Sequence, residues 1–122
     1  VVRNYLSNLV SDNLLYRTGD IFQIDANLGM TGGMAELLIQ SHTDVIRLLP
    51  ALPAEWPDGS YHGLRARGGL SFDVAWSAGA LTAATVTADH AGAFTISGPT
   101  SRAISVRLEA GETRDLTSEL GG

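Results

Sequence analysis

The spacing of apolar positions changes once along the chain. Up to about residue 45 they recur at helical intervals, and beyond Leu49-Pro50-Ala51-Leu52-Pro53 they alternate. Val2, Tyr5, Leu6, Leu9 and Val10 form an i, i+3, i+4 stripe that predicts the end of an amphipathic helix, stopping at Ser11-Asp12-Asn13. From Asn13 to Gly29 the chain is polar and punctuated by Asn and Gly, which predicts a loop long enough to carry function. A second helix is expected from near Thr31 to His42, where Met34, Ala35, Leu37, Leu38 and Ile39 are interrupted only by Glu36 and Gln40. A helix apolar almost all round has no wide solvated face and belongs inside something larger. The expectation is therefore that this chain is the C-terminal part of a bigger protein, one with residues upstream of Val1-Val2-Arg3.

The second half reads as strands. Leu70, Phe72, Val74 and Trp76 alternate with Ser71, Asp73 and Ala75, the signature of a half-buried strand. Ser77-Ala78-Gly79-Ala80 turns the chain into a second strand over Leu81 to Ala88, which makes a hairpin. Further strands are expected at Ala93 to Ser97 and Ala103 to Glu109, with Val45 to Leu49 and Gly63 to Ala66 as extras. Short strands with regular turn signals point to an antiparallel β-sandwich. The fold class is thus α+β by segment, with a helical part over residues 1–45 and a β-sandwich domain over residues 46–122.

Composition narrows the function. The formal charge is −5, and the eight basic residues are all Arg, scattered along the chain. Phosphate binding needs clustered cations, so nucleic acid is not an expected partner. No apolar run approaches the roughly 18 residues of a membrane span, and no membrane partner is expected. With no Cys there are no disulfides or thiolate metal sites. His62 and His90 stand in turns without companions at ligand spacing, so no metal and no cofactor are expected.

The candidate chemistry lies in Phe22 to His42, FQIDANLGMTGGMAELLIQSH. Asp25 stands there in a polar turn ahead of the apolar helix, as an acid at the mouth of a buried helix would. From position alone an Asp before a helix reads as a turn or cap residue. Asn27 could contact sugar hydroxyls or a water, or stabilise the turn through its own side chain. Gln23 would point with Asp25 if the segment is extended.

That stretch, with LLPALPAEWPDGSYHGLRARGGLSFDVAW and the Gly79 hairpin after it, resembles glycoside hydrolase family 95, the α-1,2-L-fucosidase family, over residues 13 to 90. The order and spacing of these segments make the resemblance specific. It implies the end of an (α/α)6 catalytic barrel followed by a C-terminal β-domain, and an inverting glycosidase that removes terminal α-1,2-linked L-fucose, or the similar L-galactose. Inversion uses a general acid and a water activated on the opposite face of the sugar. The resemblance gives the acid to a Glu far upstream and matches Asp25 to the Asp that polarises a water-holding Asn, also upstream. Asp25 is then catalytic, with Asn27 and Gln23 as substrate-binding candidates. It further implies a fucosylated oligosaccharide or polysaccharide as substrate, the missing N-terminal part of the same enzyme as partner, and an extracellular or periplasmic location. Two positions depart from the family pattern: Ala26 replaces a common Gly, and Gly19-Asp20-Ile21 replaces a His-Pro-Pro that would supply a sugar-contacting His.

Other residues have plainer readings. Glu36 is expected to pair with an Arg, His42 to sit at the negative end of the helix dipole, and Trp76 to be core. Trp56 is expected to pack at the domain boundary, with Arg65 and Arg67 docking one domain on another. Two further readings of the whole chain stay open. One is a non-catalytic β-sandwich module that binds carbohydrate or docks another protein; the other is a different sugar-processing (α/α)6 enzyme with a similar tail.

Overall fold

The computed structural model describes residues 2–100 and 102–121. Val1, Ser101 and Gly122, which the expected domains span, and the side chain of Val2, counted above in the helical stripe, lie outside the described residues. The chain divides into two compact units, Val1–Glu36 and Leu37–Gly122.

The first unit opens with helix α1, Val2–Asn8. Val10 bridges to Tyr16, and the two-residue strands β1, Arg17–Thr18, and β2, Ile21–Phe22, pair around Gly19-Asp20. Gly19 has φ of +60°, the left-handed conformation a two-residue hairpin loop demands. Helix α2 spans Ile24–Leu38 and buries none of its residues. It starts seven residues before the expected Thr31, because the loop signals there are satisfied from outside the helix. Asn27 spends its side chain on the backbone of residues 14 and 16 rather than competing for its own helix.

The same helix ends earlier than expected. The Leu37 and Leu38 carbonyls accept from the Ala51 and Leu49 N–H groups at 3.2 and 2.8 Å, which satisfies part of the last turn without further helix. Ile39–Gln40 then forms β3, so His42 does not terminate the helix.

The remaining strands are β4 (Val45–Leu48), β5 (Gly59–Ala66), β6 (Leu70–Ser77), β7 (Ala80–Ala88), β8 (Gly92–Ser97), β9 (Ala103–Leu108) and β10 (Thr113–Asp115), followed by the short helix α3 (Thr117–Leu120). They form two four-stranded sheets, β10-β7-β6-β5 and β3-β4-β8-β9. Both sheets contribute to one core, which includes Leu48, Ile96, Val106 and Leu108 from one and Leu70, Phe72, Val74 and Val86 from the other. The expected all-antiparallel pairing needs correcting, since β4 runs parallel to β8, with Val45 opposite Thr95.

The β6–β7 hairpin shows how sequence pattern becomes packing. Leu70, Phe72, Val74 and Trp76 are buried as the alternation predicts. On β7 the buried positions are Leu81, then Ala84, Val86 and Ala88, so the phase shifts between Leu81 and Ala84. The register slips where Ala75 faces Ala83 and Trp76 faces Leu81, and the bulge lets both halves of β7 face the core. Trp76 donates its indole N–H to the Trp56 carbonyl at 2.9 Å, and its ring occupies the space beside Gly59. α3 closes the core with buried Leu120, together with Leu116 just before it. Its first residue, Thr117, accepts at Oγ1 from the Ala84 N–H at 3.0 Å.

Candidate functional site

The FQIDANLG segment straddles β2 and the start of α2. Asp25 falls in the first helical turn and is exposed. Among the described residues its carboxylate has no hydrogen-bond or ion-pair partner. The free N–H groups and dipole of a helix start favour a carboxylate there.

Asn27 and Gln23 converge on Tyr16. The Tyr16 N–H donates to Asn27 Oδ1 at 2.8 Å, while Asn27 Nδ2 donates to the Leu14 carbonyl at 2.8 Å. The Gln23 N–H donates to the Tyr16 carbonyl at 3.2 Å, and Gln23 Oε1 accepts from the Thr18 hydroxyl at 3.0 Å. Both candidate side chains therefore hold the 14–18 segment against the start of α2. Each keeps unused capacity, because an amide offers two donors and two lone pairs on its oxygen. The clamp matters locally, since Leu14 adopts φ of +64°, a conformation costly for a side-chain-bearing residue.

Two residues that no sequence motif marks as site residues, Tyr5 and Tyr16, join this arrangement. Tyr5 and Tyr16 stack with ring centroids 5.4 Å apart and planes 13° from parallel. The Tyr5 hydroxyl donates to the Ala26 carbonyl at 3.2 Å, next to Asp25. Desolvation, with repulsion from the Tyr16 phenol, raises the Tyr5 hydroxyl above the ordinary tyrosine value. The only sequence signal was an aromatic in the helical stripe and another in a polar loop. A groove of about 450 Å³ runs nearby and is lined by Asn8, Ser11, Tyr16, Arg17 and Thr18 among others; neither Asp25 nor Gln23 lines it. Arg17 at its rim pairs with Asp20 at 2.9 Å.

In the β-sheet unit, Arg65 hydrogen-bonds and ion-pairs with Asp89, so its guanidinium serves the sandwich itself. The hydrogen bond and charge of Asp89 hold the guanidinium protonated above its ordinary range, and Arg65 holds the Asp89 carboxyl below its own. Asp58 is similarly lowered by hydrogen bonds from the Ser77 hydroxyl and the Ala78 N–H.

Comparison with known proteins places these residues. Residues 40–119 match the sequence profile of the C-terminal domain of glycoside hydrolase family 95. Alpha-L-fucosidase 2 of Arabidopsis thaliana is 48% identical over 80 residues, which is 65% of this chain and 9% of that protein. The probable alpha-fucosidase A of Aspergillus oryzae is 43% identical over 76 residues, covering 51% of this chain and 10% of its own length. The probable alpha-fucosidase A of Aspergillus niger is 36% identical over 89 residues, covering 59% and 11%. The chain thus spans about a tenth of the length of the curated relatives it matches. With the matched profile covering most of the two-sheet unit, the chain belongs to glycoside hydrolase family 95 and carries the family's C-terminal domain.

Proposed function

We propose that this chain is the C-terminal part of an inverting α-L-fucosidase that hydrolyses terminal α-1,2-linked L-fucose, or L-galactose, from oligosaccharides. In this reading residues 1–45 complete an (α/α)6 barrel and residues 46–122 form its accessory β-domain. The observation that carries it is Asp25. A carboxylate without a partner among the described residues opens the helix that leads directly into a family 95 domain. Its neighbours Phe22, Ile24 and Leu28 leave 47%, 54% and 67% of their surface exposed, as residues awaiting further protein would.

Mechanistically, Asp25 accepts a hydrogen bond from the amide that holds the attacking water and so aligns that water with the anomeric carbon; as the new C–O bond forms, the proton the water loses passes by way of that amide to the Asp25 carboxylate. A glutamic acid upstream protonates the leaving oxygen from the other side. The acid and the water-holding amide must stand on opposite faces of the sugar, with room between them for that water. Asn27 and Gln23 support the loop beside the sugar and lend their spare donors and acceptors to its hydroxyls.

The test uses the full-length enzyme and a 1,2-fucosylated oligosaccharide, followed by NMR of the first sugar anomer released. The expected product is the β-anomer, and Asp25→Asn should lower kcat by about 10²- to 10⁴-fold. An unchanged kcat removes Asp25 from the mechanism, and an α-anomer removes inversion. The 122-residue chain alone should release no fucose; turnover by the pure chain would overturn the reading of it as a catalytic fragment. A non-catalytic sugar-binding role has its own support, because the two-sheet unit buries a complete core from residues 39–120.

A further inference from the structure

A second groove, of about 350 Å³, lies wholly within the β-sheet unit. It forms where the 41–44 loop, the Arg67-Gly68 turn after β5 and strand β8 meet. Its polar lining includes Thr43, Asp44, Arg67 and Thr95, and its apolar lining is Ile46, Ala93 and Phe94, of which Phe94 is the aromatic one. The turn is tied to the loop by the Arg67 N–H, which donates to Ser41 Oγ at 3.0 Å.

Phe94 is held in place by the lack of side chains around it. A Cβ on Gly68 would stand 3.0 Å from Phe94 Cε1, and one on Gly92 would stand 2.7 Å from Phe94 Cζ. Gly68 also has φ of +88°, where a side chain is strained. Two glycines therefore let a half-buried ring lie across the backbone with part of its surface in the groove.

The charged groups at the rim are the second observation. Asp44 and Arg67 line the same groove, yet among the described residues neither side chain has a hydrogen-bond or ion-pair partner. Arg65, two residues before Arg67 on the same segment, is fully engaged by Asp89, so the contrast is local. A fork of donors, a carboxylate acceptor and an aromatic surface together suit a ligand with an apolar C–H face and hydroxyls that both donate and accept. An anion would face Asp44, and a purely apolar ligand would desolvate both charges. The volume lies at the low end of the roughly 300–1,000 Å³ of ligand sites, room for one ring and not for an extended chain.

We infer that this groove is an accessory carbohydrate site that holds one neutral pyranose, its C–H face on Phe94 and its hydroxyls between Arg67 and Asp44. Asp25 is not among its lining residues, and the groove keeps its chemistry whether or not the parent protein is a fucosidase.

Amide NMR of the 122-residue chain tests it, with L-fucose, D-galactose and sodium sulfate as probes. At least one sugar should give saturable shifts at amides of residues 43–44, 67–68 and 94–95, with sulfate giving none. Arg67→Gln and Asp44→Asn, both at exposed positions, should each weaken binding about tenfold. Phe94→Leu, which keeps an apolar side chain against the core, should weaken it comparably. Saturable shifts elsewhere, no shifts with either sugar, shifts with sulfate, or sugar affinity untouched by Arg67→Gln and Asp44→Asn would each overturn the assignment.

Discussion

Residues 37–121 and residues 2–36 spend their apolar side chains in opposite ways. In the former, Leu48, Leu70, Phe72, Ile96 and Leu116 are fully buried in one core fed by both sheets. In the latter, Leu14 is 70% exposed and Ile21 and Leu28 are each 67% exposed. Among the described residues, the large hydrophobics left in water all lie between Leu6 and Leu28. The β-sheet unit is thus a fold with its own hydrophobic driving force, of about 1.5–3 kcal/mol for each large side chain it buries. The helical unit depends on polar clamps, such as Asn27 on Leu14 and Tyr16, and on one stacked Tyr pair. Stability and candidate chemistry are therefore carried by different parts of the chain.

This contrast can be broken by mutation, and the largest effect belongs to the core. Phe72→Ala should destabilise the chain by about 3–5 kcal/mol, read as a lower midpoint in denaturant unfolding. A loss under about 1 kcal/mol would mean that the sheets do not share a well-packed interior. Next, Gly59→Ala would set a Cβ 2.4 Å from Cζ2 of Trp76, whose indole is held by the Trp56 carbonyl. Its ring cannot swing away freely, so a cost of about 1–3 kcal/mol and an altered near-ultraviolet tryptophan signal are expected.

Acid should act more gently and through the β-sheet unit. Asp58, Asp89 and Asp115 all have carboxyls held below the ordinary value, chiefly by hydrogen bonds from Ser77, Arg65 and Thr117 respectively. A carboxyl whose pKa is lower when folded adds stability above its unfolded value, and that stability is lost as pH falls through the folded one. Thermal midpoints should therefore hold at neutral pH and decline below about pH 4. Asp58→Asn should make that decline shallower; an unchanged acid slope would show that its bonds to Ser77 and Ala78 add nothing. The smallest effect is expected in the helical unit, where Leu28→Ala should shift stability by no more than about 0.5 kcal/mol. A loss as large as that of Phe72→Ala would erase the distinction between the two regions.

Much of the β-sheet unit was legible because alternation is a local property. Leu70, Phe72, Val74 and Trp76 announced a strand with one buried face, and the Gly79 turn announced its partner. The bulge that shifts β7, the parallel pairing of β4 with β8, and the added β3, β10 and α3 were not legible. Each depends on which strand lies alongside, which a single strand's pattern does not encode. The start of α2 was hidden for a related reason. Asn27 and Gly29 read as loop residues until the backbone of Leu14 and Tyr16 was there to occupy the Asn27 side chain.

The sequence by itself determined the family and the strand alternation that buries one face of β6, because motifs and periodicity are written residue by residue. Only the tertiary structure decided that Gln23 and Asn27 join in clamping the Tyr16 segment, that Arg65 is taken by Asp89, and that Arg67 and Asp44 share a groove with Phe94. Those outcomes depend on contacts between residues 5 to 50 positions apart, and the free energy of such contacts exists only once the chain has brought them together.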